Sequence, residues 1–104
     1  MYILNINKEL IPLRISINID ETPYDFMFNY NDMYDYFTVD LLRFDEPIIE
    51  GEKVLIGKPL FTTIEPPFST LYIPMDLSGK ADRITFDNFG EDIFIFVFEA
   101  SEIE

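Results

Sequence analysis

The stretch most suggestive of chemistry is GEKVLIGKPLF, Gly51 to Phe61. A glycine followed by Gly-Lys resembles a phosphate loop, in which backbone amides cradle phosphates and a Ser or Thr hydroxyl holds the metal. The gap between Gly51 and Gly57-Lys58 is one residue too long for that motif, and Pro59 stands where the hydroxyl belongs. Val54, Leu55 and Ile56 suit a strand better than a loop that wraps anions. No long helix follows to offer its N-terminus. The segment therefore reads as an apolar strand bracketed by turns at Gly51 and Gly57, with Pro59 closing the second.

Carboxylates are the next group able to act. Asp32 and Asp35 flank a hairpin turn, Glu50 and Glu52 flank Gly51, and Glu91-Asp92 follows Gly90. Acid–base work needs two carboxyls held in one cleft with separated pKa values, and nothing in the spacing supplies such a cleft. Asp87-Asn88-Phe89-Gly90-Glu91-Asp92 lacks the alternating ligands of a calcium loop. All of these groups read as solvated turns. The chain has no histidine and no cysteine, which removes thiol and imidazole nucleophiles, bases and zinc ligands and any disulfide framework. No catalytic residue, cofactor site or metal site is assigned.

The aromatics offer recognition rather than reaction. Tyr24, Tyr30, Tyr34 and Tyr36 lie close together in sequence, and a tyrosine patch can bind sugar or protein. The competing reading is cross-strand packing in a core.

The elements that must position these groups are short strands. Ile11, Leu13, Ile15, Ile17 and Ile19 alternate with polar residues through Leu10–Ile19, the period of a half-buried strand. Tyr24–Tyr30 and about Tyr34–Phe44 form a hairpin around Asn31-Asp32. Asp45-Glu46-Pro47 predicts a turn; Pro47–Glu50 and Lys53–Ile56 predict short strands around Gly51. Leu60–Ile64 is expected to be extended and Leu71–Met75 a short strand, followed by a polar loop over Asp76–Asp82. Ile84–Gly90 is either a strand end or one helical turn closed by Gly90. Asp92–Glu99 closes the chain with Ile93, Ile95 and Val97 on one face and Phe94, Phe96 and Phe98 on the other. With both faces apolar, that strand is either central or presents a contact surface. The pattern predicts an all-β chain: a single small antiparallel barrel or sandwich over 10–99, with at most one short helical turn near 84–90. It follows a 1–9 N-terminal segment and precedes a frayed acidic tail over 100–104.

The charge sets the partners. Twenty acidic residues against seven basic ones give a formal net charge of -13, which opposes binding to nucleic acid or anionic membranes and favours a basic protein neighbour. Met1–Leu10 lacks a basic, apolar leader, and no apolar run approaches a bilayer's width; the expectation is a soluble chain made in a cytoplasm.

From Ile11 to about Glu99 the chain resembles the phage baseplate plug family, small proteins of contractile-tail baseplates. Ile11-Pro12-Leu13 opens the domain. FNYNDMYDYFTVDLL, residues 28–42, matches the family's Asn-containing turn and aromatic strand ending in Asp-Leu, with Tyr36-Phe37 where Trp is common. Gly57-x-Pro59-Leu60 matches a Gly-x-Pro-Leu pattern, and ITFDNFGEDIFIFVF matches a Phe-Gly turn before a hydrophobic closing strand. The resemblance implies a non-enzymatic virion component of the tail baseplate, assembled in a bacterial host's cytoplasm. It would pack against hub, tube and neighbouring baseplate subunits, with symmetric copies of itself expected. Candidate contact residues are Phe94, Phe96, Phe98, Tyr30, Tyr34 and Tyr36. Two other classes fit parts of the sequence: an acidic DNA mimic that blocks a nucleic-acid-binding protein, and a small β-barrel that binds a ligand through its tyrosines.

Overall fold

A computed structural model describes residues 1–103. It contains seven strands: β1 (Tyr2–Leu4), β2 (Leu13–Ile19), β3 (Thr22–Asn31), β4 (Tyr36–Arg43), β5 (Glu46–Lys53), β6 (Leu71–Asp76) and β7 (Ile93–Phe98). A 3-10 turn spans Lys8–Leu10, and one helical turn, α1, spans Ala100–Ile103. The fraying expected of the 100–104 tail extends to Glu104, which lies outside the described residues.

The strands form two antiparallel sheets, β2-β3-β4-β5 and β1-β7-β6. They pack across a shared core as a sandwich and do not close into a barrel. The period-two strands account for the larger sheet. Leu13, Ile15 and Ile17 of β2 pair with Phe28, Phe26 and Tyr24 of β3, and Phe26, Phe28 and Tyr30 pair in turn with Leu41, Val39 and Phe37 of β4. Directly opposed residues share a face, so these side chains point together into the sandwich. The smaller sheet contributes Tyr72, Ile93, Ile95 and Val97. Phe26 meets both Phe61 and Tyr72 edge-on, at centroid distances of 5.0 and 5.1 Å, which is the aromatic geometry that locks two layers together.

Three local expectations change. The two short strands expected around Gly51 are one strand, β5, and Gly51 lies within it. Glu50 and Gly51 together stand opposite Asp40, since Val39 pairs with Glu52 and Leu41 with Ile49. This is a bulge with its glycine at φ +69°. Val54 extends the pairing by one bond, its amide to the Phe37 carbonyl at 3.0 Å, but Leu55 and Ile56 leave the sheet. Leu60–Ile64 is a turn rather than an extended segment, because Phe61 sits at φ +58° with its ring buried. The turn expected at Asp45-Glu46-Pro47 falls one residue earlier. Phe44 and Asp45 both have positive φ, the two-residue hairpin geometry whose twist matches the strands. Asp20 and Glu21 make the same turn between β2 and β3.

Candidate functional site

The bulge at Gly51 decides where two ionisable side chains go. Without an extra residue, period two would point Lys53 inward with Ile49. The bulge shifts the parity, so Glu52 faces the core side beside Val39 and Lys53 faces out beside Thr38. The Glu52 carboxylate accepts the Phe61 amide at 2.6 Å. Lys53 lies over the Tyr36 ring, 4.4 Å from its centroid. Asp40 closes the bulge by accepting the Gly51 amide at 2.6 Å.

Gly57 and Pro59 have a different job. The Gly57 amide donates to the Pro74 carbonyl at 2.7 Å, and the Leu60 amide donates to the Tyr72 carbonyl at 2.8 Å. The Gly57–Leu60 segment thus covers the free edge of β6, a site that would otherwise invite unwanted pairing. Gly57 reaches this position at φ +77°, and Leu60 anchors the segment in the core. Nothing in this geometry wraps a phosphate. Gly90, at φ +84°, donates its amide to the Ile93 carbonyl at 2.8 Å as β7 begins.

Of the carboxylates singled out in the sequence, Asp35 and Glu52 act as hydrogen-bond acceptors within the fold, and Asp20 and Asp76 do the same. Asp35 accepts the Tyr30 hydroxyl at 2.7 Å and the Phe86 amide at 2.8 Å, and Arg83 donates to its backbone carbonyl at 2.7 Å. The Phe86 amide, then the Tyr30 hydroxyl, hold the Asp35 carboxyl below its ordinary range. The same bond pushes the Tyr30 hydroxyl up to about 12. Of the two readings of 84–90, a strand end or one helical turn, residues 85–89 form a turn: the Phe89 amide reaches the Thr85 carbonyl at 3.0 Å, and Asn88 accepts the Thr85 amide at 2.8 Å. Asn88 also donates to the Arg83 carbonyl. Asp76 gathers the amides of Ala81 and Ser78, which lower its pKa. Asp20 accepts the hydroxyl and then the amide of Ser69, which again lower its pKa. Among the described residues, no group of three or more acidic side chains is arranged to hold a metal ion. No buried side-chain polar atom among them lacks a partner.

The three candidate tyrosines point in different directions. Tyr30 packs inward against Phe37 and Phe86, with centroids at 4.9 and 5.2 Å. Tyr36 points to the outer face, where Asn31 donates to its hydroxyl at 3.2 Å. Tyr34 sits in the turn between them, 67% exposed. Tyr30 and Tyr36 border a cleft of about 480 Å³ with Asn29, Asn31 and Met33. Its floor is the outer surface of β3 and β4, with no enclosed chamber.

The phenylalanines of β7 do share a surface. Phe94 pairs with Met75, Phe96 with Ile73 and Ile3, and Phe98 with Leu71. These seven side chains occupy the outer face of the β1-β7-β6 sheet, opposite the buried Ile93, Ile95 and Val97. Phe96, at its centre, is 7% exposed yet lies outside the central core cluster. It is flanked by its cross-strand neighbours and by Phe98, whose ring is 6.5 Å away. Towards the margins Ile3 and Met75 are 42% and 38% exposed. The outer face of the larger sheet is mostly polar by contrast, with Arg14, Ser16, Asn18, Asp25, Asn29, Thr38 and Asp40 along it beside Pro23, Met27, Tyr36 and Leu42. The hairpin ends add exposed apolar groups in Met33 and Phe44.

The profile of the family described as "Cyanophage baseplate Pam3 plug gp18" matches residues 1–100. The chain belongs to this family. The match spans both sheets and all seven strands, so the baseplate plug family accounts for the whole β domain rather than one motif within it. The four stretches that resemble the plug family in sequence fall inside the matched span, and the Gly57-x-Pro59-Leu60 motif is the segment that covers the edge of β6. No curated protein gives a significant match to the chain. Among the described residues, no helix is long and apolar enough to cross a membrane.

Proposed function

We propose that the protein is a non-enzymatic structural component of a phage or prophage tail baseplate, acting by packing against neighbouring tail proteins. The observation that carries this reading is the plug-family match over residues 1–100. The geometry is consistent with it. Asp20, Asp35, Glu52 and Asp76 are used as acceptors that tie loops to strands, and the apolar residues left over form surfaces rather than pockets. Phe94, Phe96 and Phe98 lie on one of those surfaces, and Tyr34 and Met33 crown another. Hub and tube proteins are the natural neighbours for a plug, and the tail baseplate is the location that follows.

Deletion of the gene in the parent phage or prophage tests this. Induced lysates should lose intact contractile tails, with complementation restoring them. Normal tails and normal infectivity without the protein would contradict the proposal. Salt-sensitive binding to a DNA-binding protein, with no effect on tails, would favour the acidic-mimic alternative instead.

A further inference from the structure

The two sheets have four edges, and three of them are guarded. β1 is only three residues long. The edge of β6 is covered by Gly57 and Leu60, whose amides bond to the Pro74 and Tyr72 carbonyls. β5 carries Pro47, the Gly51 bulge and charges at Glu46, Glu50, Glu52 and Lys53. β2 has none of these devices. It runs seven residues, LRISINI, with no proline, glycine or bulge, and pairs with β3 in unbroken register. Its one charged residue does not guard the edge. The Arg14 guanidinium is drawn back across the sheet to Asp25, at 2.8 Å, and to Asp45 in the turn after β4.

The open edge has a defined pattern. The two-residue turn makes Ile19 and Thr22 exchange both backbone bonds, and bonded pairs then alternate along the strands. Leu13, Ile15 and Ile17 therefore bond to β3, while Arg14, Ser16 and Asn18 aim their amides and carbonyls outward. No backbone group among the described residues bonds to these outward ones, and all three residues are exposed. Ile15 and Ile17, on the core side, are only half-buried.

The sequence of β2 is complementary to itself. In an antiparallel pair centred on Ser16, Ser16 faces its own copy, Arg14 faces the second copy's Asn18, and Ile15 faces the second copy's Ile17. Every outward group of the three residues is then used, in roughly six inter-chain hydrogen bonds. Neither Pro12, which has no amide hydrogen, nor the turn residue Asp20 has to donate. Centring on Arg14 instead would oppose two guanidiniums. The half-buried isoleucines cover one another across the seam. The charge of -13 on each chain opposes any pairing, but it is screened beyond about 8 Å at physiological salt, and this register sets no like charges directly opposite.

We propose that β2 pairs with β2 of a second copy of this chain, joining two four-stranded sheets into one continuous sheet. The inference stands on the sheet edges and does not depend on the baseplate reading. Main-chain bonds supply the affinity. The seam is narrower than a standard interface, so the dimer is reversible and concentration-dependent.

Sedimentation equilibrium of the purified chain, from micromolar to millimolar concentration, tests it. The expected result is a monomer–dimer equilibrium that tightens as salt screens the net repulsion. Ser16→Pro removes an outward amide that β3 does not use, so it should keep the fold, read by circular dichroism, and weaken the dimer about ten-fold or more. Asn18→Arg, a surface change that leaves folding untouched, sets a guanidinium opposite the second copy's Arg14. It should weaken the dimer several-fold even though it lowers the net negative charge. A chain that stays monomeric at millimolar concentration overturns the proposal and leaves this edge to a strand of another protein. A dimer indifferent to Asn18→Arg, or a trimer in place of a dimer, overturns it as well.

Discussion

Glu52 and Phe61 are joined by a hydrogen bond of 2.6 Å, the Phe61 amide donating to the Glu52 carboxylate. The bond links an edge strand to a turn whose pivotal residue has φ +58°. A bulky residue is rarely stable in that region, and here a carboxylate fixes its amide while the ring is buried against Phe26. Replacing Glu52 by Ala leaves that amide unpaired in a half-buried place. The expected loss is about 1–3 kcal/mol, measured by urea unfolding, with Glu52→Gln recovering part of it. No loss in Glu52→Ala would mean that the bond does not hold the turn.

Gly51 supports the same contact from the other side. A Cβ there meets nothing within 4 Å, so any penalty for Gly51→Ala comes from the backbone at φ +69° and from the bulge. The expected cost is about 1–2 kcal/mol, read as a fall in urea midpoint at constant slope. Gly57→Ala, also free of clashes at φ +77°, should cost a similar amount and loosen the cover over β6. Amide exchange at Gly57 and Leu60 should then accelerate, since both amides bond to β6 carbonyls.

Phe44 makes the opposite prediction. It is 75% exposed and occupies the first position of a tight hairpin at φ +52°, where Asn is favoured. Phe44→Asn should raise stability by roughly 0.5–1 kcal/mol. A fall in melting temperature would indicate that the ring makes a contact that offsets its backbone conformation.

The acidic acceptors set the pH response. The hydrogen bonds they accept hold the carboxyls of Asp20, Asp25, Asp35 and Asp76 below the ordinary aspartate value of 3.8. Their contribution is fully present above the unfolded value and is lost as pH falls through the folded ones. Thermal unfolding followed from pH 7 downward should therefore show this loss only below about pH 4. At the other end, Tyr30 is raised from 10.0 to about 12, so its contribution persists below pH 10 and disappears as pH rises towards 12. Asp35→Asn should flatten the alkaline limb, because it removes the charge that holds the Tyr30 proton. An acid limb starting well above pH 5 would contradict these assignments.

Much of the sandwich was legible because period two is written plainly in β2, β3, β4 and β7. The two apolar faces of β7 left open a central strand or a contact surface; the strand lies between β1 and β6 in its sheet. The bulge was harder to see. Gly51 reads as a turn, and only the pairing of Val39 with Glu52 and Leu41 with Ile49 reveals one continuous strand. The inward aim of Glu52 follows from that bulge and has no signature in residue type. The turn expected at Asp45-Glu46-Pro47 falls one residue earlier, at Phe44-Asp45, and neither residue advertises positive φ as Asn-Gly would. Leu60–Ile64 looked extended because its apolar residues serve a buried turn. Among the site residues, the three phenylalanines could be grouped from alternation alone. Tyr30 and Tyr36 read as one patch from their closeness in sequence, and only the hairpin register, Tyr30 opposite Phe37 and Asn31 opposite Tyr36, puts them on opposite faces.

The central claim, that the protein is a built-in part of a tail baseplate, is tested most directly by quantitative mass spectrometry of purified tails. The protein should be found in a fixed ratio to the other baseplate proteins, and that ratio should survive further purification of the particles. Its absence from tails, or a content that falls with each purification step, would contradict the account.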